Sequence, residues 1–366
     1  MNTNHLVLVL ACLALSAAPA RACCGVQRPE GQIHLADQEI LVVWDAEHKR
    51  ETFVRRAAFR TGGAADFGFL VPTPTAPKLS EAHDALFMLL DREIRPVPVP
   101  VKVYEPAFTP LVAYPFIFTE RDDSAMSRST TKSKGHRGAP AGPPPVRILQ
   151  EVKVAGYDAT VLEADSAQAL NDWLGKHKYA ATPEVKAWIE PYVAHKWKIT
   201  AFRYERHPGS RADALSTGCI SMAFDTDRPL FPYRVPTSQL AAPGDPSILR
   251  VFYVGPGRAE GRLGDAAKPW NAKVKFASQL ETFSDRLHGM EPNIDFDPTA
   301  WLTAFEDRPW PSGTEDLYFR PAADAAAFHE TFNYEVKTVV PLPLDLMLFL
   351  GYWVWRRFRR KGAGKA

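Results

Sequence analysis

The sequence has little cysteine and almost no excess of charge of either sign. Its 366 residues include four cysteines, and 44 Lys and Arg are set against 42 Asp and Glu, a net charge of +2. This balance excludes the strongly basic surface typical of nucleic-acid-binding proteins. Hydrophobic residues make up 46% of the chain and charged residues 23%. That composition excludes bulk disorder and is compatible with one or two folded domains.

Catalytic signatures that can be recognised by their spacing are also missing. The chain contains no HExxH, GxSxG, Walker loop or GxGxxG motif. The ten histidines are scattered, and no CxxC or Cys–His spacing suggests a zinc ribbon. We therefore predict no cofactor, and the sequence favours a role other than catalysis.

The small net charge hides an uneven distribution along the chain. Residues 1–22 contain one basic residue, Arg21, and no acid, whereas residues 339–366 contain six basic residues and one acid, Asp345. The remaining residues, 23–338, hold 37 basic and 41 acidic side chains, a net charge of −4. The basic character of the chain therefore resides in its C-terminal tail, and we predict no nucleic-acid partner.

The N-terminal segment has the pattern of a secretory signal. Residues 6–18 form a uniformly apolar run, and Ala20-Arg21-Ala22 follows as a cleavage site with small residues at its ends. We predict a signal peptide over residues 1–22, which leaves a mature chain that begins at Cys23. The alternatives are a first core helix and lipid attachment at Cys12 or Cys23. For lipid attachment, the apolar run before Cys12 is short and Arg21 is unfavourable beside Cys23.

The C-terminal segment resembles a membrane anchor followed by positive charge. We predict a transmembrane helix over residues 339–358 and a basic cytoplasmic tail over residues 359–366. Pro341, Pro343 and Asp345 fall in the first half of the predicted span, so an interfacial helix on the bilayer surface and a soluble helix are its alternatives. The predicted anchor residues are Leu346, Leu348, Phe349, Leu350, Trp353 and Trp355, and the positive-inside cluster is Arg356, Arg357, Arg359, Arg360 and Lys361.

Together, the two ends predict where the protein resides. A cleaved signal followed by a C-terminal span with cytoplasmic arginines gives a single-pass protein of the bacterial inner membrane. The body would lie in the periplasm or outside the cell, with the C-terminus in the cytoplasm. The lipid bilayer is then a predicted partner through the C-terminal helix.

Three cysteines remain once the predicted signal has been removed: Cys23, Cys24 and Cys219. In an oxidising compartment, the sequence predicts a structural disulfide from Cys23 or Cys24 to Cys219, with the third thiol free or paired between chains. A bridge between the adjacent Cys23 and Cys24 would be strained. Cys219 as a catalytic nucleophile is the alternative, and no partner histidine is identified by spacing.

Local patterns predict an α+β fold with largely antiparallel sheets and packed helices. Strand patterns cover residues 39–44, 50–60, 66–71, 146–154, 159–163, 197–205 and 248–254. Helix signals begin at Ser80, at Asp165 with Gln168 as a capping box, and at Thr182 before Pro183. The alternation of Pro and Val over residues 96–104 is typical of an edge strand or a polyproline segment.

These elements divide the body into two halves and an extension. We predict the first half of one α+β domain over residues 23–119 and its second half over residues 146–260. Residues 120–145 separate the halves as a flexible low-complexity loop, since they contain almost no large apolar side chains. A Trp- and Pro-rich extension follows over residues 261–338.

Several separated motifs make the body similar to a known family. They are Cys24-Gly25, the strand at residues 38–43, residues 66–74 (DFGFLVPTP), residues 161–174 and residues 224–232. In this order they resemble the DUF2330 family, a group of exported bacterial proteins. The resemblance implies a signal peptide, a globular domain outside the cytoplasm and often a C-terminal anchor. It implies no reaction.

Two pairs of alternate aspartates provide the remaining candidate site residues. Asp225 and Asp227 are weak calcium candidates, and so is the second pair, Asp295 and Asp297. Ordinary turn-forming aspartates are the competing interpretation. The nine Trp and eleven Tyr could form a surface for stacking a glycan or serve in the core.

The sequence therefore favours a membrane-anchored binding or interaction module of the cell envelope, with an envelope protein or a glycan as its ligand. The alternative is an envelope-acting hydrolase or redox enzyme that uses Cys219 or the pair Asp225 and Asp227.

Overall fold

The structure is a computed structural model of the chain. It describes residues 25–26, 33–61, 67–109, 146–204, 214–216, 218–240, 246–310 and 313–362. These residues form mostly antiparallel sheets and five α-helices, which confirms the predicted α+β class. The predicted signal peptide, Cys23, Cys24 and the predicted loop 120–145 lie outside the described residues. The chain divides into two compact units, one of Met1–Arg95 with Gly135–Glu330 and one of Pro96–Lys134 with Thr331–Ala366.

A nine-stranded sheet is the largest sheet of the first unit. Its neighbouring strands are antiparallel except for one parallel pair, β2 (Ile33–Asp45) with β13 (Ile248–Gly255). Eight strands lie in the order β19 (Phe328–His329), β16 (Lys273–Gln279), β17 (Trp301–Asp307), β13 (Ile248–Gly255), β2 (Ile33–Asp45), β3 (Arg50–Thr61), β11 (Cys219–Asp225) and β5 (Lys78–Ala82), and β10 (Ala214–Ser216) pairs with β3.

Two smaller antiparallel sheets complete the first unit. The five-stranded sheet has the order β1 (Gly25–Val26), β4 (Phe67–Thr73), β9 (Lys198–Tyr204), β8 (Tyr157–Ala164) and β7 (Val146–Val154). The four-stranded sheet has the order β12 (Leu230–Phe231), β18 (Leu317–Pro321), β14 (Ala259–Leu263) and β15 (Lys268–Pro269).

Four helices cover the outer faces of the two larger sheets. Helices α1 (Leu86–Glu93) and α4 (Phe283–Met290) pack on the nine-stranded sheet, and α2 (Ala167–Lys176) and α3 (Pro183–Ala194) pack on the five-stranded sheet. The three sheets share a central core between them. Strand β2 is therefore buried on both faces: Ile40 and Val42 enter the central core, while Leu41 and Val43 face the helices. Double burial explains why this strand is continuously apolar instead of alternating.

The helix starts agree only partly with the sequence pattern. Helix α3 begins as predicted, because the Thr182 hydroxyl caps it by accepting from the Val185 N–H at 3.2 Å. Helix α2 is capped by Ser166, and the prediction of Asp165 was wrong by one residue. The prediction of a helix N-cap at Ser80 was also wrong. Ser80 lies in β5, where pairing with Ser221 of β11 takes precedence over the local helix signal.

The described residues of the second unit form a two-stranded ribbon and a helix. Strands β6 (Val97–Thr109) and β20 (Thr331–Pro343) pair in parallel along their whole length, and helix α5 (Leu344–Gly362) follows directly. The ribbon has only edge strands, which is where alternating prolines are tolerated, as predicted for residues 96–104.

The prediction of a transmembrane helix over residues 339–358 is corrected by the structure. The strand β20 continues through Pro343, so the first residues of the predicted span are extended. Within the described residues, no helix has both the length and the apolar character needed to cross a bilayer. The apolar part of α5 is short because Arg356 and Arg357 follow Trp355 directly.

Candidate binding cleft

An open cleft of about 490 Å³ lies where three loops of the first unit meet. The turn between β2 and β3 contributes His48 and Lys49, and the link from β4 to β5 contributes Thr75. Asp225, at the end of β11, and Asp227, just after it, complete this set. The volume falls within the range of small-molecule sites. We name this feature the 225–227 cleft.

Backbone hydrogen bonds hold the three loops together. The Thr226 N–H donates to the Lys49 carbonyl at 2.9 Å. The Thr75 hydroxyl donates to the Asp225 carbonyl at 2.8 Å, and the Asp225 N–H donates to the same hydroxyl at 3.0 Å. Lys49 itself has φ of 51°, a left-handed conformation that lets the β2–β3 turn close tightly. The cleft is therefore built from loops with fixed positions.

Each carboxylate at the cleft has a cationic partner. Lys49 Nζ lies 2.9 Å from Asp227 Oδ1, and Arg50 Nε lies 3.2 Å from Asp225 Oδ1. Arg228, which also lines the cleft, pairs with Asp265 at 2.5 Å. Each of these three ion pairs is neutral overall, so the pairs at and beside the cleft offer many hydrogen-bonding groups without adding net charge.

The pairs also change the acidity of the groups that form them. The hydrogen bond from Lys49 lowers the pKa of Asp227 below its ordinary value. The hydrogen bond from Arg228 likewise lowers the pKa of Asp265. At the rim, the hydrogen bond to Asp45 raises the pKa of His48. All three shifts favour the charged forms that make the pairs.

Two aromatic side chains complete the walls of the cleft. Trp197 lies just before β9, and Tyr318 lies on β18. The Arg228 guanidinium stacks 3.6 Å from the centre of the Tyr318 ring. Both aromatic residues are partly exposed, so they present ring surface beside the polar groups. The aromatic rings can stack against the ring of a ligand. The paired Asp, Lys and Arg side chains beside them can form hydrogen bonds with the hydroxyl groups of that ligand.

The calcium hypothesis for Asp225 and Asp227 gains no support from this geometry. The structure brings the two residues to one cleft, as the sequence suggested, but their side chains bond Arg50 and Lys49. Across the described ranges, no three or more His, Cys, Asp or Glu side chains are grouped so that they could hold a metal ion. Asp297 of the second pair accepts from the Thr299 N–H at 2.7 Å, which is a turn role.

Cys219 is a buried, free thiol in the first unit. The prediction that it forms a structural disulfide is therefore wrong for this residue, while Cys23 and Cys24 lie outside the described residues. Its side chain packs in the core between the nine-stranded sheet and helices α1 and α4. Burial, with a smaller effect of Asp84, raises the pKa of Cys219 to about 12. A buried thiol that stays protonated is a poor nucleophile.

The predicted anchor residues all lie on helix α5. Leu346, Leu348, Phe349, Leu350, Trp353 and Trp355 are exposed to solvent there. The predicted basic cluster begins at the end of this apolar stretch. Arg357 stacks 5.2 Å from the centre of the Trp353 ring, and Arg359 stacks 4.9 Å from that of Trp355. Arg356 is exposed as well, and Arg360 and Lys361 belong to the last turns of α5.

Sequence reasoning found the two aspartates of the cleft but missed the residues that surround them. Lys49, Arg50, Arg228, Trp197 and Tyr318 come from four separate parts of the chain. No motif links them. The sequence offered one signal for the position of the cleft, the two segments 66–74 and 224–232 that carry the family resemblance. Both segments border the cleft in the structure.

The structure is a mixed α+β domain with an open cleft that combines ion pairs and partly exposed aromatic rings. The sequence matches the model of the DUF2330 family, described as uncharacterized protein conserved in bacteria, over residues 18–313. The chain belongs to the DUF2330 family, as the resemblance indicated. The match also runs through residues 261–313, where β16 and β17 join the nine-stranded sheet. No curated protein matches the sequence.

Proposed function

We propose that this DUF2330 protein is a binding module of the bacterial cell envelope whose ligand site is the 225–227 cleft. The body faces the periplasm or the exterior, in keeping with the signal-peptide pattern of residues 1–22. The ligand is an uncharged polar molecule with ring faces, and a neutral glycan of the envelope is the class that fits best. The observation that carries this proposal is the combination of paired charges and partly exposed aromatic rings in one cleft of about 490 Å³.

The charge balance selects against other ligand classes. A phosphate group would meet Asp225 and Asp227 beside the cations, and a metal ion would have to displace Lys49 and Arg50 from the carboxylates. A glycan hydroxyl can donate to Asp227 and accept from Lys49 at the same time, because it is both donor and acceptor. Trp197 and Tyr318 then supply apolar surface for the sugar ring.

The enzymatic alternative has weaker support. A hydrolase built on Cys219 would need an accessible thiolate, and that thiol is fully buried with a raised pKa. A hydrolase built on Asp225 and Asp227 would need one carboxyl group that holds a proton near neutral pH. The pKa of Asp227 is shifted in the opposite direction.

We propose further that the protein attaches to the bilayer through helix α5, which lies on the membrane surface. The helix exposes large apolar side chains in its first half and arginines in its second half. Exposed apolar surface of this kind is typical of an interaction site. The arginines complement the anionic headgroups of a bacterial membrane, and the stacked Trp353 and Trp355 suit the interface.

Binding to soluble oligosaccharides tests the ligand assignment. Isothermal titration calorimetry would measure the binding of the full chain to three neutral tetrasaccharides, which are the tetramers derived from chitin, from cellulose and from a maltose polymer. The variant Lys49→Ala should bind at least tenfold more weakly, because it removes a donor and leaves Asp227 unpaired. Lys268→Ala is the matched control, since Lys268 is equally exposed and pairs with Glu315 outside the cleft. If the unaltered protein binds none of the panel, or if both variants bind equally, the glycan assignment is wrong.

A further inference from the structure

The strongest unexplained feature of the first unit is Arg55, a charged side chain in the central core. It lies in the middle of β3, with Ile40 of β2 on one side and Ile220 of β11 on the other. Its side chain is 3% exposed. A charged group at such a position is expensive to bury and normally has a paired partner.

None of the three guanidinium nitrogens of Arg55 has a hydrogen-bond partner in the described part of the chain. Its contact is with the ring of Phe69, whose centre lies 4.3 Å from the guanidinium carbon. The next residue of the same strand, Arg56, is an arginine that does have a partner. Arg56 points to the other face and donates from Nε to Glu39 at 2.6 Å. A ring face attracts the cation, but it satisfies none of the five N–H donors of Arg55.

A small cavity is lined in part by Arg55. Its walls come from β3, β4, α3 and the chain around β12, with Phe53, Pro72, Trp188 and Phe231 as the main contributors. It has room for about one water-sized occupant. The Trp188 indole N–H already donates to the Arg234 carbonyl at 2.9 Å. Among the side chains that line the cavity, the Arg55 guanidinium is therefore the polar group left to be satisfied.

The one acidic side chain buried on the same strand does not neutralise Arg55. Glu51 is fully buried, and its Oε2 accepts from the Leu230 N–H at 2.8 Å. Burial raises the pKa of this carboxyl well above its ordinary value, so burial disfavours its charged form. Among the described residues, no carboxylate therefore pairs with the Arg55 guanidinium.

We propose that the cavity beside Arg55 is a binding site for one small monovalent anion of halide size. The guanidinium supplies the charge and the donors, and the apolar walls exclude water that would compete for the ion. A water molecule could accept from the guanidinium but would leave the charge unbalanced. A phosphate or sulfate is too large for the cavity. The bound anion would join the nine-stranded sheet to β4, α3 and β12, so its role is to stabilise the fold.

The dependence of stability on the anion tests this site. Thermal and denaturant unfolding of the full chain would be followed in sodium chloride and sodium bromide against sodium gluconate at constant ionic strength. The folded-to-unfolded ratio should rise about tenfold for each tenfold increase in halide once the site is filled, and it should not respond to gluconate. Arg55→Met should abolish this response, because it keeps the volume and removes the charge.

Two further measurements keep the result clear. Arg258→Met is the matched control, since Arg258 is also largely buried but pairs with Asp324, and this variant should keep the halide response. Should Arg55→Met fail to fold, anomalous scattering from crystals grown in bromide decides the matter directly, with a peak expected beside the Arg55 guanidinium. Equal stability of the unaltered protein in halide and gluconate, an unchanged halide response in Arg55→Met, or crystals without a peak at Arg55 would each overturn the proposal.

Discussion

Lys49 Nζ lies 2.9 Å from the carboxylate of Asp227, although 178 residues separate them in the chain. This ion pair and the one between Arg50 and Asp225 join the end of β11 to the turn between β2 and β3. The two aspartates therefore bind protein cations, whereas a calcium site needs several oxygen ligands free to coordinate the ion.

The first prediction is that calcium leaves the stability unchanged. Adding calcium chloride should not shift the unfolding midpoint relative to magnesium chloride at the same concentration, because Asp225 and Asp227 are occupied by Arg50 and Lys49. Using chloride salts throughout keeps the halide constant. Differential scanning calorimetry would measure the midpoint. A rise specific to calcium that disappears in Asp227→Asn would restore the calcium interpretation.

The second prediction concerns pH and the buried Glu51. Burial raises its pKa well above the ordinary value of 4.5, and a hydrogen bond from the Leu230 N–H opposes this only in part. The folded state then retains a proton that the unfolded state releases, so the contribution of Glu51 to stability falls as pH rises above about 4.5. Glu51→Gln, which mimics the protonated carboxyl, should stabilise the protein at neutral pH by about 1–3 kcal/mol.

At a pH below the ordinary pKa of glutamate, Glu51→Gln and the unaltered protein should have equal stability, because Glu51 is then protonated in both the folded and the unfolded state. Denaturant unfolding across the pH range would measure the difference. Glu47→Gln is the control, because Glu47 is exposed in the neighbouring turn. If Glu51→Gln destabilises the protein at neutral pH, the carboxyl is charged in the fold and the argument fails.

The third prediction is that Cys219 does not react in the folded protein. The thiol is fully buried and burial raises its pKa to about 12, so thiolate is scarce at ordinary pH. Iodoacetamide should leave the tryptic peptide 212–234 unmodified in buffer and modify it in urea, since trypsin does not cleave between Arg228 and Pro229. Mass spectrometry gives the readout. Rapid labelling of Cys219 in the native state would contradict this prediction and support Cys219 as a candidate nucleophile.

Local patterns were sufficient to predict the fold class and many strands. The apolar run at residues 39–44 lies within β2, and the alternating run at residues 50–60 matches β3 almost to the residue. The cap at Thr182 was correct, because a hydroxyl directly before Pro183 satisfies an N–H of the first turn within the same short segment. Such contacts need no information from distant parts of the chain.

Errors arose where distant segments decide the structure. Ser80 has the sequence of a helix cap, but the ladder from β5 to β11 holds it in a strand. The parallel pairing of β2 with β13 joins residues about 200 positions apart, which no local pattern can indicate. The cleft shows the same limit: Asp225 and Asp227 stood out in the sequence, whereas the cations that bind them, Lys49 and Arg50, did not.

The fourth prediction tests the attachment of helix α5 to lipid. The variant Arg356→Glu/Arg357→Glu/Arg359→Glu should bind vesicles of phosphatidylglycerol at least a hundredfold more weakly, since each arginine near an anionic surface contributes about 1 kcal/mol. Vesicle flotation of the full chain would measure binding. Phosphatidylcholine vesicles should bind both forms weakly.

The control for this experiment carries the same change in net charge elsewhere. Lys176, Lys178 and Lys196 are exposed lysines of the first unit, and converting all three to Glu should leave vesicle binding nearly unchanged. Equal losses in the two triple variants would show a general effect of charge and contradict a role for α5. Full retention of binding in the arginine variant would contradict it as well.

The fifth prediction uses two glycines near one turn to test the packing of the four-stranded sheet. A Cβ at Gly261 of β14 would collide with the Trp270 ring and lie 2.9 Å from Leu317 Cδ1, whereas a Cβ at Gly257 would meet no atom within 4 Å. Gly261→Ala should therefore lower the free energy of unfolding by about 1–3 kcal/mol, the usual cost of overpacking. Gly257→Ala should stay within about 0.5 kcal/mol of the unaltered protein, since it adds a methyl group in open space. Urea unfolding of the two variants measures the difference, and equal stability would mean that Trp270 moves aside freely and does not fix the packing of β14 against β18.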